Sequence, residues 1–289
     1  MSAPEKPLVE VEDLSVTFRT PHGPVEAVRG VSFTLGRERL GIVGESGSGK
    51  SQTGRAILGL TAGNGRIEAK TLSFDGIDLL TARPRTLRRI RGARISMIMQ
   101  DPRFSLNPVV KVGDQIAEAY AIHAKASKRV ARRRALEMLE TVQIREPEKV
   151  YNLYPHQVSG GMGQRVMIAM MLIPEPDVLI ADEPTSALDV TVQMQVLALL
   201  DDMVRERGMG LVLISHDLHL VASFCDRVIV MYGGRIMEVL EAGRLNEAQH
   251  PYTRGLLECL PSLEHRQEML PVLDRDPAWM TETVAGRAR

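Results

Sequence analysis

The chain has 289 residues, 44% apolar and 25% charged, and its 36 Lys and Arg are balanced by 36 Asp and Glu. That zero formal charge argues against a protein that follows nucleic acid through phosphate contacts, which takes most of its affinity from a basic excess, and the average composition excludes disordered and fibrous classes. The best apolar runs, around Val166 to Ile173 and Val196 to Leu200, fall short of the roughly 18 residues that a membrane helix needs, and the first residues lack the layout of a secretion signal, so a cytosolic chain is expected.

From Leu8 to Val16 apolar and polar residues alternate loosely, and Val31 to Leu35 repeats the period of two, so paired strands separated by a turn at Pro21 to Pro24 are predicted. Leu40 to Leu60 reads as a short buried strand, a glycine-rich turn and an amphipathic helix, the layout of a phosphate-binding unit. A polar strand-like stretch, Arg66 to Leu79, leads into a run holding Arg83, Arg85, Arg88, Arg89, Arg91 and Arg94. Acidic residues elsewhere cancel this charge and stacking aromatics are scarce, so the run reads as a solvated face or an anchor for acidic neighbours. Lys125 through Arg134 reads as a helix with basic side chains facing water. Residues 101–156 read as mostly helical, with breaks at Asn107-Pro108 and Glu146-Pro147. A helix at 162–173, a buried strand at 178–181, a helix at 191–206 and a strand at 211–215 follow, an alternation that argues for a parallel sheet covered on both faces. Cys225 and Cys259 give neither a disulfide framework nor a paired metal spacing and read as inert small hydrophobes.

Gly44 to Ser51, GESGSGKS, matches G-x-x-x-x-G-K-S/T between the predicted strand and helix. Gly44, Gly47 and Gly49 allow the backbone to turn with its N–H groups inward, making a nest for phosphate oxygens at the positive end of a helix. Lys50 supplies a point charge for the β- and γ-phosphates and the Ser51 hydroxyl a ligand for Mg²⁺. Glu45, Ser46, Ser48 and Gln52 complete the candidate cradle. Downstream, the apolar run at 178–181 ends in Asp182 and Glu183, placing two carboxylates at the carboxyl end of a strand, the ligand edge of a parallel sheet. Asp182 is expected to orient Mg²⁺ through water and Glu183 to act as general base. With Ser215-His216-Asp217 after the next strand, the set points to a nucleotide hydrolase.

At Val158 to Arg165, VSGGMGQR, the chain resembles the signature motif of ATP-binding-cassette (ABC) ATPases, and the other cassette motifs occur in family order. They are the phosphate loop, a Q-loop glutamine at Gln100, the signature at Ser159 to Met162, Asp182 with Glu183, a D-loop at Ser186 to Asp189, and a switch histidine at His216. The wording QDPRFSLNPVVKVGDQIAE, YPHQVSGGM, ADEPTSALDVTVQ and above all HPYTRGLL at 250–257 is similar to importers of oligopeptides, dipeptides and nickel.

The resemblance implies an α/β P-loop fold with a RecA-like mixed or parallel sheet. An N-terminal core part with an antiparallel β subdomain would cover 1–100, a helical subdomain 101–160, the second core part 161–240, and a C-terminal extension 241–289. It implies a peripheral subunit on the cytoplasmic face of the bacterial inner membrane. Its partners would be a second cassette, identical or homologous, two membrane-spanning permeases and, indirectly, an extracytoplasmic solute-binding protein, with no nucleic acid. ATP would lie between Gly44–Ser51 of one cassette and Ser159, Gly160, Gly161 and Met162 of the other, near Asp189, with Gln100 sensing Mg²⁺ and water. Phe18 is the candidate adenine platform and His22 the alternative. Met162, Met167, Met170 and Met171 read as packing rather than a metal site. Two departures stand out. Gly163, inside the signature helix, costs about 1 kcal/mol of helix propensity against alanine. Some relatives carry an iron-sulfur cluster in a cysteine-rich extension, but this chain has only Cys259 there, so no cluster is expected.

Overall fold

A computed structural model describes residues 6–101, 105–259 and 275–280. The chain divides into two compact units, residues 1–81 with 213–289 and residues 82–212.

The first unit opens on a hairpin of β1 (Val9–Thr20) and β2 (Gly23–Leu35), paired from Val9 opposite Leu35 to Thr20 opposite Gly23. Val9, Val11, Leu14 and Val16 line its buried face. The step of three between Val11 and Leu14 is a register shift, where Asp13 takes a left-handed φ of 55° and donates its N–H to Ser32 Oγ at 2.9 Å. The short strand β3 (Arg39–Val43) then leads through a glycine-rich loop into α1 (Lys50–Ile57). The strand-like stretch over Arg66 to Leu79 comprises three strands, β4 (Gly65–Glu68), β5 (Thr71–Phe74) and β6 (Ile77–Asp78). Asp75 and Gly76, both at positive φ, turn β5 back on β6, the backbone that tight hairpins favour. β4 and β5 both pair with β1, antiparallel, which completes the antiparallel layer.

The second unit carries α2 (Pro84–Ile90), β7 (Ile95–Ile98), α3 (Val112–Ala124), α4 (Lys128–Thr141), α5 (Pro147–Tyr151), α6 (Gly160–Leu172), β8 (Val178–Asp182) and α7 (Val190–Arg207). β7 and β8 run parallel, from Ile95 opposite Val178 to Ile98 opposite Ala181, and both are buried throughout. The helix expected over 125–134 begins only at Lys128, because Lys125 is left-handed and separates α3 from α4. Its basic residues do more than face water. Arg134 pairs with Glu137 at 3.0 Å and Glu175 at 3.1 Å, and Arg132 lies over the Tyr151 ring at 4.3 Å. Arg94, from the earlier arginine run, likewise holds Asp177 at 2.6 Å. Ile98, Ile116, Leu139, Met167 and Ile180 are among the core residues here.

The division between the units falls inside β9 (Gly210–Ile214), and Leu213 returns the chain to the first unit. There α8 (Leu218–Phe224), β10 (Arg227–Tyr232), β11 (Arg235–Glu241) and α9 (Pro251–Glu258) follow. β10 lies parallel to β3, from Arg227 opposite Leu40 to Val230 opposite Val43, and antiparallel to β11 through Gly233-Gly234. The Ser215 N–H, just past β9, donates to Ile42 O at 3.1 Å. Among the described residues no helix is long and apolar enough to cross a membrane.

Candidate active site

In the first unit the phosphate-loop sequence bridges β3 and α1 as predicted from its spacing, and two of its glycines are dictated by the backbone around them. At Gly44, φ is 150° and a Cβ would meet Met231 O at 2.1 Å; at Gly49, φ is 96° and a Cβ would meet Ala27 O at 2.4 Å. Any side chain at either position would collide with main chain that cannot swing aside. Gly49 is also the N-cap of α1, so the loop delivers its backbone to a helix start, where first-turn N–H groups have no intrahelical acceptor. Lys50, 7% exposed, turns back over the loop and donates from Nζ to Gly44 O and Glu45 O, each at 2.8 Å. Ser46 and Gly47 are exposed, Ser48 is buried, Ser51 and Gln52 are half-buried, and the buried Gln52 Oε1 has no hydrogen-bond partner among the described residues. A buried ammonium at a helix N-terminus, beside an exposed glycine turn, is a donor set for phosphate oxygens.

The same unit holds His216 and Phe18. His216 is exposed, between Ser215, whose Oγ accepts the Asp217 N–H at 3.0 Å, and Asp217, which caps α8 by accepting from Leu220 N at 3.0 Å. Since Ser215 bonds Ile42, two residues before Gly44, His216 leaves the strand edge that abuts the strand feeding the phosphate loop. Phe18 is half-buried in β1 opposite Gly65, and its Cε1 would lie 2.8 Å from a Cβ at that glycine, so the ring packs against it. His22 is exposed at the hairpin turn.

The second unit gathers the other candidates. Asp182 ends β8 and is 1% exposed. Glu183 follows at a left-handed φ of 50°, an uncommon backbone for a non-glycine residue that costs of order 1–3 kcal/mol and tends to be held at functional positions. Gln100 Nε2 donates to Glu183 Oε2 at 3.2 Å, so two residues 83 positions apart in the chain meet side chain to side chain. Ser159 is the N-cap of α6, its Oγ accepting from Met162 N at 3.3 Å. Among the described residues Gly160 has open space where a Cβ would stand, while Gly161 lies against the D-loop, its would-be Cβ 3.4 Å from Ala187 O. Asp189 caps α7, accepting from Val192 N at 3.1 Å. Met162, Arg165 and Asp189 line a cleft of about 800 Å³. Burial holds the Arg165 guanidinium below its ordinary pKa, with Asp189 opposing that shift and Arg145 adding to it. Gly163 is buried within α6.

Gln164 lies inside the signature stretch Val158 to Arg165, outside the residues Ser159 to Met162 to which a role is assigned. It is fully buried, and its Nε2 donates to Pro184 O at 2.8 Å, which ties the signature helix to the peptide after Glu183. A glutamine inside an otherwise apolar helix face was the available signal. Residues 102–104, next to the Q-loop, and 260–274 and 281–289 of the expected C-terminal extension lie outside the described residues.

Residues 28–186 match the family model described as "ABC transporter". The chain is 46% identical over 273 residues to the oligopeptide transport ATP-binding protein OppD of Haemophilus influenzae, covering 94% of this chain and 84% of that protein. It is 49% identical over 277 residues to OppD of Salmonella typhimurium, covering 95% and 82%, and 47% identical over 268 residues to the dipeptide transport ATP-binding protein DppD of Haemophilus influenzae, covering 92% and 81%. Among solved structures it resembles the dimeric post-hydrolysis state of the ATP-binding cassette MJ0796 bound to ADP and Pi, with a TM-score of 0.74, 27% identity, and coverage of 81% of this chain and 98% of that one.

Proposed function

The chain belongs to the ABC transporter family, and on that premise we propose that it is the ATP-binding and ATP-hydrolysing subunit of a peptide importer. The observation that carries the cargo is the identity of 46–49% to oligopeptide transport ATP-binding proteins along more than nine-tenths of the chain. Catalysis is assigned to the motif residues. The loop Gly44 to Ser51, with Glu45, Ser46, Ser48 and Gln52, holds the phosphates, and Lys50 meets the β- and γ-oxygens with its charge. Ser51, Asp182 and Gln100 would hold Mg²⁺, directly or through water; the ion screens charge on the phosphates. Glu183 removes the proton from the attacking water, Gln100 fixes the Glu183 carboxylate by its hydrogen bond, and His216 contacts the γ-phosphate. Phe18 stacks on adenine.

Two cassettes pack head to tail, so that Ser159, Gly160, Gly161 and Met162 of one meet the phosphates bound by the other, with Asp189 at the seam. The open space at Gly160 and the helix start at Ser159 support that role, because unencumbered N–H groups at a helix N-terminus favour an anion. Two membrane-spanning permeases, served by an extracytoplasmic binding protein, anchor the pair at the cytoplasmic face of the inner membrane. Affinity purification of the tagged full-length chain from solubilised membranes tests this assignment. Recovery of two permease subunits and hydrolysis stimulated by peptide-loaded binding protein are expected. Recovery on ribosomes or DNA instead, or stimulation by nickel and not by peptide, would overturn it.

A further inference from the structure

Glu45, the second residue of the phosphate loop, is tied down at each of its polar groups, and two of the ties come from the C-terminal part of the chain. Its backbone N–H donates to Tyr252 Oη at 3.2 Å. Its carboxylate accepts a two-pronged bond from Arg275, Nε at 3.2 Å and Nη2 at 3.1 Å, the fork geometry that fixes orientation as well as distance. Its carbonyl oxygen accepts from Lys50 Nζ at 2.8 Å. A line of direct contacts thus runs from the HPYT segment and Arg275 through one residue to the phosphate-binding lysine.

The local sequence explains how Tyr252 reaches this place. His250 is the N-cap of α9, its Nδ1 accepting the Tyr252 N–H at 3.1 Å, and Pro251 occupies the first helical position. Glu238 of β11 accepts the N–H groups of Gln249 at 2.7 Å and His250 at 3.2 Å, so the turn into the helix is fixed from the sheet. Tyr252, fully buried, packs against Tyr232 with ring centroids 4.7 Å apart and against Trp279 at 5.8 Å. Trp279 also touches His250 at 5.9 Å, which brings β10, α9 and the 275–280 segment to one aromatic cluster. The rings account for stability by burial. The Tyr252 hydroxyl and the Arg275 guanidinium add something the rings do not, a fixed position for Glu45.

We infer that Tyr252 and Arg275 are positioning residues that pre-order the phosphate loop through Glu45, and so set nucleotide affinity. A loop already held in its binding shape loses less freedom when the phosphates arrive. This inference rests on the ATP reading above, and its test separates the two. ADP and ATP are titrated into the full-length chain at 25 °C, with Tyr252→Phe, Arg275→Gln and the double variant alongside, and melting is followed without nucleotide. Tyr252→Phe keeps the ring cluster and removes one hydrogen bond; Arg275→Gln removes a partly exposed pair of small stability value, so it stays folded. Each is expected to weaken ADP about 3- to 10-fold, the scale of one net hydrogen bond, and Arg275→Lys is expected to recover part of the loss. A role in stability alone would lower the melting midpoint while leaving the 25 °C affinities at the parent value. Parent-like ADP affinity in both single variants would overturn the inference and leave the ATP reading intact. A parent chain that binds neither nucleotide would overturn both.

Discussion

Replacing Glu183 with glutamine separates chemistry from architecture at this site. The side chain keeps its length and an oxygen acceptor for Gln100 Nε2, now 3.2 Å away, and the backbone keeps its left-handed φ of 50°. At that contact an exposed charge-assisted hydrogen bond becomes neutral, a change worth about 1 kcal/mol or less. Loss of a general base is larger, roughly 100- to 10,000-fold in rate, or about 2.7–5.4 kcal/mol at 1.36 kcal/mol per decade. Because the second quantity exceeds the first several-fold, turnover should collapse while the fold stays. Steady-state phosphate release by the full-length chain, beside an equilibrium ATP titration and a melting curve, measures all three. The expected result is a turnover loss of at least about 100-fold, retained ATP binding, and accumulation of an ATP-bound dimer on size exclusion. Turnover within about threefold of the parent, less than any general-base loss, would refute the assignment of Glu183 as base. A melting midpoint lowered by more than about 5 °C would refute the claim that the substitution is structurally silent.

Lys50→Ala removes the ammonium held by Gly44 O and Glu45 O; ATP affinity should fall by about 10- to 100-fold, the scale of a charged hydrogen bond, and near-parent affinity in a nucleotide titration would contradict its phosphate role. Cys225 is buried and burial pushes its thiol up to about 12, against an ordinary 9.0. Native protein at pH 8 should thus alkylate at half-buried Cys259 and spare Cys225, as read by peptide mass mapping. The sign of the linkage is fixed by the same shift: stability from the protonated thiol is complete below pH 9 and is lost as pH rises toward 12, so the Cys225 share of the denaturant midpoint should fall across that window and not below it.

What the sequence disclosed about this fold tracks how local the determining physics is. The phosphate loop is eight consecutive residues between a strand and a helix, and its glycines answer to close backbone approaches, so spacing alone located it. The helix at 162–173 and the strands at 178–181 and 211–215 were likewise placed by apolar runs, and α6, β8 and β9 lie within two residues of those bounds. Legibility fell where a pattern is interrupted or only half of it is apolar. The alternation of β1 looked loose because the bulge at Asp13 inserts a residue, and the first half of β2 carries exposed positions with no apolar face to detect. The single stretch at Arg66 to Leu79 concealed a turn at Asp75-Gly76, although Asp-Gly between apolar residues is a hairpin signal. The β10–β11 hairpin, turned by Gly233-Gly234, could have been found the same way.

The ties on Glu45 are of another kind. Tyr252 is 207 positions from it and Arg275 is 230, and neither the HPYT wording nor the loop motif contains the other's coordinates. A motif read from sequence gives the residues that touch a ligand, because chemistry dictates their identity and spacing. The residues that hold those in place are constrained only by where the fold delivers them, and several side chains could serve. Gln164 obeys the same rule. Its amide supports the Pro184 carbonyl from a neighbouring helix; a glutamine on an apolar face marks the residue in the sequence, and the packing of α6 beside the end of β8 supplies its partner. For this chain the motif residues are thus written locally, while the hydrogen-bond partners that hold them come from 20 to 230 positions away.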